Sequence, residues 1–395
     1  MTVQDTLQAV RAHEDEFIAL RRDIHQHPEL PFEELRTSDL VAARLRDWGY
    51  HVERGLGGTG VVGQLKRGDG TRTLGLRADM DALPIQETTG LQYASRNQGV
   101  MHACGHDGHT AMLLAAAKVL AEQGDFSGTL NLIFQPAEEY GTSDCGAVRM
   151  INDGLFDKYP CDAIFSMHNM PGWPQGHLIF REGPMMASSD KVYITLVGHG
   201  GHGAVPHKTA DPVVAAASLV MALQTVVSRN VDPLQTAVVT VGVLQSGRAN
   251  NVIPDSAHLE LSVRALDSEV RSLLQQRITE IAHAQAQSFG VKAEIDYRRG
   301  YAALVNSKDE TDFARQIGSE LVGAERVVLQ ALPLTGSEDF AFMLEKCPGS
   351  YLLIGNGDGD KLGACMVHNP GYDFNDANLA IGAAYWTLLA RRYLV

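Results

Sequence analysis

The sequence predicts an α/β fold in which helices flank a mostly parallel central sheet and a smaller ferredoxin-like α+β domain is inserted. After about residue 50, strand-like and helix-like segments alternate up to about residue 186, as they do in parallel sheets. The order then changes to β-α-β-β-α-β, which is a complete small domain in itself. We therefore expect one discontinuous domain, 1–186 and 299–395, and one inserted domain, 187–298. A chain of 395 residues, 45% of them hydrophobic, is long enough for two cores.

Each element is predicted from periodicity. The first 50 residues predict helices, because apolar residues recur at helical spacing and the second stripe ends at Gly49. The other elements predicted for the larger domain are strands 73–77, 130–134, 163–167 and 351–354, and helices 109–122 and 376–392. The inserted domain is predicted to contain strands 191–197, 237–244, 258–265 and 293–297, and helices 212–228 and 268–289.

Charge and cysteine content exclude several classes of protein. The 47 acidic and 33 basic side chains give a formal charge of −14, which argues against a nucleic-acid partner or an anionic membrane surface. No apolar run approaches the roughly 20 residues of a membrane span, and residues 1–5 do not resemble a secretion signal. Five cysteines, an odd number spread through a long chain, predict reduced thiols and a cytoplasmic protein.

A cysteine and a histidine flank a glycine just before a predicted helix. Cys104 and His106 lie on either side of Gly105. The helix N-terminus and a divalent metal would both favour a thiolate there, and thiolate and imidazole are good ligands for zinc and its neighbours. A glycine-rich turn with a buried cysteine is the structural alternative.

Two adjacent glutamates, Glu138 and Glu139, follow the predicted strand 130–134. The carboxyl ends of strands are where α/β sheets bind ligands. Because neighbouring side chains point in different directions, one carboxylate can bind a metal while the other acts as a general base. An isolated pair of glutamates is more often a solvated acidic turn.

Two further histidines lie in comparable positions. His168 follows a predicted strand, and His368 precedes the final helix. A lone histidine is more often structural, but here potential ligands follow several successive strands. Cys104, His106, Glu139, His168 and His368 together supply five ligands, enough for two metals about 3.5–4 Å apart that share bridging groups.

The chain resembles the M20 metallopeptidase clan, and specifically its amidohydrolase branch, which contains hippurate hydrolases and N-acyl-amino-acid deacylases. The resemblance extends nearly from end to end. It rests on the segments RDIHQHPEL (22–30), LRADMDALP (76–84), MHACGHDGH (101–109), QPAEE (135–139), GHGAVPH (201–207), NVIPD (251–255) and GSEDF (336–340).

The resemblance implies a catalytic site with two divalent metal ions, the five ligands named above, and Glu138 as general base. The cysteine ligand leaves the metal open among zinc, manganese, cobalt and nickel. Where most of the clan has a His-x-Asp metal motif, this chain has Arg77-Ala78-Asp79. This departure fits His106 taking the histidine's role and Cys104 replacing a bridging carboxylate, with Asp79 orienting a ligand imidazole through a hydrogen bond.

The resemblance also gives the inserted domain a function as a lid and dimerisation domain. His202 matches a histidine that stabilises the oxyanion in relatives, sometimes across a dimer. Asn251 and Arg264 resemble a pair that holds the substrate near its carboxylate, and the guanidinium fork of arginine suits that task. An ordinary surface charge is the alternative for Arg264. Exposed strand edges also favour a homodimer or a higher homo-oligomer.

The implied activity is metal-dependent hydrolysis of N-acyl amino acids such as hippurate, with an aromatic or short aliphatic acyl group. A hydroxide bridging the metals would attack the amide carbon, and Glu138 would take the proton from the water. A dipeptidase or a carboxypeptidase that cleaves small peptides or aryl-amide conjugates is an alternative with the same chemistry. A non-catalytic binding protein would be expected to lack a ligand or the base, and this chain has them all.

Two sequence features do not enter this hypothesis. The glycines of 55–60 fit a dinucleotide-binding pattern, but the strand 61–65 and a turn follow them. No helix N-terminus is therefore available for a pyrophosphate, and the segment predicts a hairpin rather than the site of a nucleotide-dependent oxidoreductase. His25, His27 and Glu29 belong to the family signature without a chemical role, and we expect them to serve packing.

Overall fold

A computed structural model describes residues 2–395. In chain order, helices α1–α11 are Val3–Arg11, Glu14–Gln26, Leu35–Asp47, His106–Gln123, Gly146–Asn152, Leu155–Lys158, Pro212–Asn230, Ser268–Ser288, Lys308–Val322, Phe340–Leu344 and Ala377–Tyr393. Strands β1–β16 are His51–Leu56, Gly60–Arg67, Thr73–Asp79, Gly128–Gln135, Ala163–Pro171, Leu178–Ile179, Gly183–Met186, Asp190–Val197, Gly201–His202, Ala237–Ser246, Val252–Ile253, Ser256–Ala265, Lys292–Arg299, Leu304–Asn306, Val327–Val328 and Gly349–Gly357. Short 3₁₀ helices are formed by Glu138–Tyr140, Pro206–Lys208 and Ala324–Arg326.

The chain forms two compact units. The first unit contains Met1–Gly183, Val305–Leu332 and Asp339–Val395. The second unit contains Pro184–Leu304 together with Pro333–Glu338, a short segment that the sequence pattern did not assign to it.

An eight-stranded sheet forms the centre of the first unit, in the order β1-β2-β4-β3-β5-β16-β6-β15. Its middle strands, β4, β3, β5 and β16, are parallel. β1 and β2 pair in the antiparallel direction, as do β2 and β4, whereas β6 is antiparallel to β16 and parallel to β15. The sheet is flanked by helices, so the predicted fold class is confirmed. Because β3, β4 and β5 run in the same direction, the segments that follow them emerge at one edge.

The core of the first unit explains the near-continuous apolar composition of α4 and α11. Most of their residues are buried, and α4 packs against α11, α2 and β3. A helix that is apolar on all sides belongs in a core. The N-terminus of α4, where His106 lies, is therefore placed within the interior of the first unit.

The second unit has its own antiparallel sheet in the order β10-β12-β8-β13, with α7 and α8 in the connections. Its order of main elements, β8-α7-β10-β12-α8-β13, is the β-α-β-β-α-β order that the sequence predicts. Alternate residues of β8 and β12 are buried, and they form a core with the inner faces of both helices. The strands β9 and β11 form a separate two-stranded ribbon.

Among the described helices, α7 alone combines the length and hydropathy of a bilayer span. A core helix can have the same properties. One face of α7, including Ala215, Leu219 and Leu223, is fully buried against its own unit, while Val214 and Met221 are exposed.

The glycine-rich segment 55–60 forms the predicted hairpin turn between β1 and β2. Gly57 and Gly58 both have positive φ, which glycine adopts without steric cost. No helix begins at this turn, since β2 follows it directly.

Candidate metal centre

The N-terminus of α4 places Cys104 and His106 on either side of a left-handed glycine. Gly105 has φ 95°, and a Cβ atom at this position would lie 2.1 Å from the Asn169 side chain and 2.4 Å from the Tyr372 hydroxyl. Only glycine fits this approach, which explains the Cys-Gly-His order of the motif.

The first group of potential ligands is Cys104, His106 and His168. Their ligand atoms lie within 4.8 Å of one another, and all three residues are buried. The Sγ of Cys104 is 3.3 Å from Nε2 of His168. The His168 Nδ1 lies 2.5 Å from the Asn169 carbonyl, which can only accept, so Nδ1 carries the proton and Nε2 is left to bind a metal. Burial keeps the pKa of His168 well below its usual value, so the ring is neutral.

His106 also presents its Nε2 to this group. Its Nδ1 is 3.1 Å from Oδ1 of Asp81, whereas its Nε2 is buried and has no hydrogen-bond partner within residues 2–395. Burial alone lowers the pKa of His106, but Asp79 and Asp81 outweigh it and raise the pKa to about 10. Surroundings negative enough to hold a proton there are suited to a metal cation.

The paired glutamates lie on the 3₁₀ helix that follows β4. Ala137 has φ 50°, in the left-handed region, and this turns the chain sharply from the strand into the helix. The amide of Glu139 donates to Oδ2 of Asp81 at 2.8 Å. Glu138 is 6% exposed, and its carboxylate lies within 4.8 Å of ligand atoms of His106 and Glu139.

The second group consists of Glu139, His368 and Cys104, whose ligand atoms again lie within 4.8 Å of one another. Nε2 of His368 is 3.0 Å from Oε1 of Glu139, and this contact raises the pKa of His368. The His368 amide donates to the Ala103 carbonyl at 2.7 Å, and its φ is 64°. The structure therefore brings all five predicted ligands together, with Cys104 shared by both groups.

The chemistry of these side chains fits divalent cations. Burial raises the pKa of the Cys104 thiol well above its usual range, and Glu139 and Glu138 raise it further. The position at the helix N-terminus therefore does not by itself produce the thiolate. A cation between the thiol and the two carboxylates would supply the missing positive charge and deprotonate the cysteine.

Asp81 is a residue that sequence analysis missed. Oδ1 of Asp79 lies 2.6 Å from Nδ1 of His109, and its Oδ2 is 3.8 Å from Nε2 of His106. The hydrogen bond expected from Asp79 to a ligand imidazole is thus made by Asp81, to His106. Asp81 lies just after β3, in the LRADMDALP segment, and no pattern in that segment distinguishes its contacts from those of Asp79.

His109 is the other buried histidine at this edge. Its Nε2 is 2.7 Å from Oδ1 of Asn169, so with Asp79 both of its ring nitrogens already have partners. Its ring centroid is 4.5 Å from that of His168. His109 therefore supports a ligand instead of acting as one.

The residues predicted on the inserted domain all lie in the second unit. His202 is on β9 and faces Val252 of β11, and Asn251 accepts from the Gly203 amide at 2.8 Å through its carbonyl. Arg264 is on β12 and donates to the Ser337 hydroxyl at 3.1 Å. Burial lowers the pKa of the Arg264 guanidinium, which is partly buried.

The chain is similar to several known proteins over nearly its whole length. Residues 75–392 match the peptidase family M20/M25/M40. The chain is 47% identical to the hippurate hydrolase of Campylobacter jejuni over 379 residues, covering 96% of this chain and 97% of the relative. It is 38% identical to thermostable carboxypeptidase 1 of Saccharolobus solfataricus over 387 residues, covering 97% of each chain.

A solved structure from Bacillus subtilis, described as a dinuclear metal-binding peptidase of the M20 family, superimposes with a TM-score of 0.83. The two sequences are 32% identical, and the match covers 97% of this chain and 99% of the other. The predicted family is confirmed, and the protein is a metal-dependent hydrolase. The chain belongs to the peptidase family M20/M25/M40.

Proposed function

We propose that the protein is a dinuclear metal-dependent amidohydrolase that cleaves N-acyl amino acids, with hippurate as a representative substrate. The observation that carries the proposal is the pair of overlapping ligand groups that share Cys104, with Glu138 beside them. His106 and His168 supply Nε2 atoms from inside the unit, and Glu139 and His368 supply the other ligands. The similarity to a hippurate hydrolase supports the same activity.

Divalent cations bound by these residues would lower the pKa of a water molecule and polarise the scissile carbonyl. Glu138 is the general base, which takes the proton of the attacking water and later delivers it to the leaving amine nitrogen. Its position on the turn next to Glu139 keeps its carboxylate beside the ligands.

The second unit would supply contacts to the substrate. His202 donates to the oxyanion of the tetrahedral intermediate. Arg264 and Asn251 hold the substrate carboxylate, and the partial burial of the Arg264 guanidinium strengthens such a charged hydrogen bond.

A carboxypeptidase that cleaves small peptides or aryl-amide conjugates is the second candidate. It is favoured by the 38% identity to a thermostable carboxypeptidase. It uses the same metal chemistry, and only the acyl group of its substrate differs.

The test is metal analysis of the purified protein followed by activity measurements before and after chelation. Hippurate, N-acetyl amino acids and dipeptides are offered in parallel. We expect about two divalent metals per chain, from among zinc, manganese, cobalt and nickel, and hydrolysis of acyl amino acids that chelation abolishes. Metal-independent turnover would contradict the proposal, and a preference for dipeptides would favour the second candidate.

We also propose that two copies associate through the second unit to form a homodimer. β10 is an edge strand, and Val214 and Met221 of α7 are exposed apolar residues of the same unit. Light scattering on the intact protein measures the mass. The five free cysteines fit a reducing, cytoplasmic location.

A further inference from the structure

Two sequence segments without an assigned function converge next to the Glu138–Glu139 turn. The first is the short segment that follows the N-terminal signature 22–30 and contains Glu34. The second is the glycine-rich hairpin 55–60, which contains Thr59. Glu34 is fully buried in the first unit, and Thr59 is 6% exposed.

The carboxylate of Glu34 connects the two segments to the turn. Its Oε1 accepts from the Ala137 amide at 2.8 Å and from the Phe32 amide at 3.0 Å. Its Oε2 accepts from the Thr59 hydroxyl at 2.5 Å. All three bonds join residues of one unit, and two of them connect distant parts of the chain.

The bond to Ala137 stabilises a backbone conformation that alanine rarely adopts. Ala137 has φ 50° and ψ 45°, and the chain must turn there for Glu138 and Glu139 to leave β4 as a 3₁₀ helix. Such a conformation persists only where the surrounding structure enforces it. The Glu34 carboxylate supplies that constraint, since it fixes the Ala137 amide directly.

Close packing of the glycine-rich hairpin 55–60 against α5 positions Thr59. A Cβ atom on Gly57 or Gly60 would lie 2.9 or 3.0 Å from the Met150 side chain. The Gly57 amide also donates to Oδ2 of Asp153 at 2.7 Å, just beyond α5. The small residues of this motif therefore let the hairpin approach α5 closely, which sets the position of the Thr59 hydroxyl.

We propose that Glu34 is a positioning residue for the hydrolysis: through the Ala137 amide it holds the general base Glu138 and the metal ligand Glu139 in place. Thr59 in turn orients Glu34. This inference rests on the proposed function, in which Glu138 and Glu139 have those roles.

The signature 22–30 contains a matched control, Glu29. Glu29 also accepts from two backbone amides, those of Arg36 at 2.7 Å and Thr37 at 2.8 Å. Both of these belong to the first turn of α3, so Glu29 stabilises a helix end instead of the Glu138–Glu139 turn. A variant at Glu29 reports what the loss of a capping carboxylate does to stability alone.

The experiment compares Glu34→Ala, Glu34→Gln and Glu29→Ala. Glu34→Ala removes the acceptor, so we expect kcat to fall about 10–100-fold with KM nearly unchanged. Glu34→Gln keeps an amide oxygen for Ala137 and Phe32 and can donate to Thr59, so we expect it to retain kcat. Glu29→Ala is expected to lower the melting temperature and leave kcat unchanged.

A second measurement does not depend on turnover. Hydrogen exchange of the segment 137–140, measured by mass spectrometry, should accelerate in Glu34→Ala and stay slow in Glu34→Gln and Glu29→Ala. This distinguishes the two proposals: if the wild type cleaves no acyl amino acid, the proposed function fails, while the exchange rates still decide whether Glu34 holds the turn.

Three outcomes would overturn the inference: unchanged exchange in Glu34→Ala, unchanged kcat in Glu34→Ala, or an equal loss of kcat in Glu29→Ala. If Glu34→Ala does not fold, Thr59→Val replaces it. That variant removes a hydroxyl with little change in volume, and we expect faster exchange of 137–140 and a smaller decrease in kcat. Unchanged exchange and kcat in Thr59→Val would then overturn the inference.

Discussion

The two halves of the candidate metal centre differ in how the protein holds them. Cys104, His106 and His168 form an inner half that is buried within the first unit. Glu139 and His368 form an outer half, and the side chain of His368 is 51% exposed.

Asp81 and the Asn169 carbonyl each hold Nδ1 of one inner histidine, which leaves its Nε2 on the side of the metal site. His368 is positioned through its backbone amide, and its ring faces Glu139 alone among the contacts described. We infer that the inner half is arranged before a cation binds, whereas a bound cation would complete the outer half.

Replacing Glu138, the proposed general base, should have the largest effect while leaving both halves intact. Glu138→Gln keeps the size of the side chain but cannot take a proton from water. We expect turnover to fall by about 10²–10⁴-fold with the metal content unchanged. Kinetics together with metal analysis of the same sample measures both. Loss of metal in Glu138→Gln would show that Glu138 is a ligand, contrary to its proposed role.

Removing one histidine from each half should distinguish the two metal-binding positions. In His168→Ala the inner half loses a buried ligand, and we expect the inner metal to be lost and turnover to be abolished. In His368→Ala, water can take the place of the exposed ring. We expect that variant to keep the inner metal, to bind the outer metal more weakly and to retain some turnover.

Titration of the metal-free variants with Co²⁺, followed by its absorption spectrum, measures the two affinities. The absorption from a thiolate ligand should persist in His368→Ala, since Cys104 remains bound to the inner metal. Equal metal loss in the two variants would contradict the contrast between the halves.

Asp81 connects the halves, because one carboxylate oxygen faces His106 and the other accepts from the Glu139 amide. In Asp81→Asn the amide group can satisfy only one of these donors. We expect metal affinity to decrease about 10–100-fold, as for other residues that orient metal ligands. Asp267→Asn is the control, since Asp267 accepts from two backbone amides at the start of α8 and asparagine is an equally good cap. Equal affinities in the two variants would exclude the role of Asp81.

Much of this architecture could be predicted from sequence because it depends on local patterns. The parallel strands and the helices around them follow from periodicity, and the ligand set follows from the motifs at the ends of strands and helices. Asp81 and Glu34 could not be found in this way. Their roles depend on contacts with His106 and Ala137, which lie 25 and 103 residues away and carry no pattern of their own.

The contacts of Asp79 and His25 could not be predicted from the sequence for the same reason. Asp79 occupies the aspartate position of the clan's His-x-Asp motif, so a hydrogen bond to a ligand imidazole was expected. Only the structure shows that Asp79 lies next to His109. His25 had no chemical role in the sequence. In the structure its Nδ1 is 2.8 Å from Oδ2 of Asp107, the residue directly after His106. The signature therefore contacts the inner half through Asp107.

Replacing His25 should have the smallest effect on turnover and should act through stability. Burial alone lowers the pKa of His25, but Asp107 and Glu87 outweigh it and raise the pKa to about 9. Because this value exceeds the value of about 6.5 in the unfolded chain, the folded state binds the proton more tightly. The resulting stabilisation is fully present below pH 6.5 and is lost as the pH rises through 9. Between pH 7 and 9.5 the free energy of unfolding should decrease by about 2 kcal/mol from this group.

Denaturant unfolding of the wild type and of His25→Gln across this range measures that contribution. His25→Gln should be less stable at pH 7 and should show a shallower decrease toward pH 9.5, since glutamine does not titrate. Parallel curves for the two proteins would mean that His25 is not protonated in the folded state. The inner half would then owe its rigidity to the contacts of Asp81 and Asn169 alone.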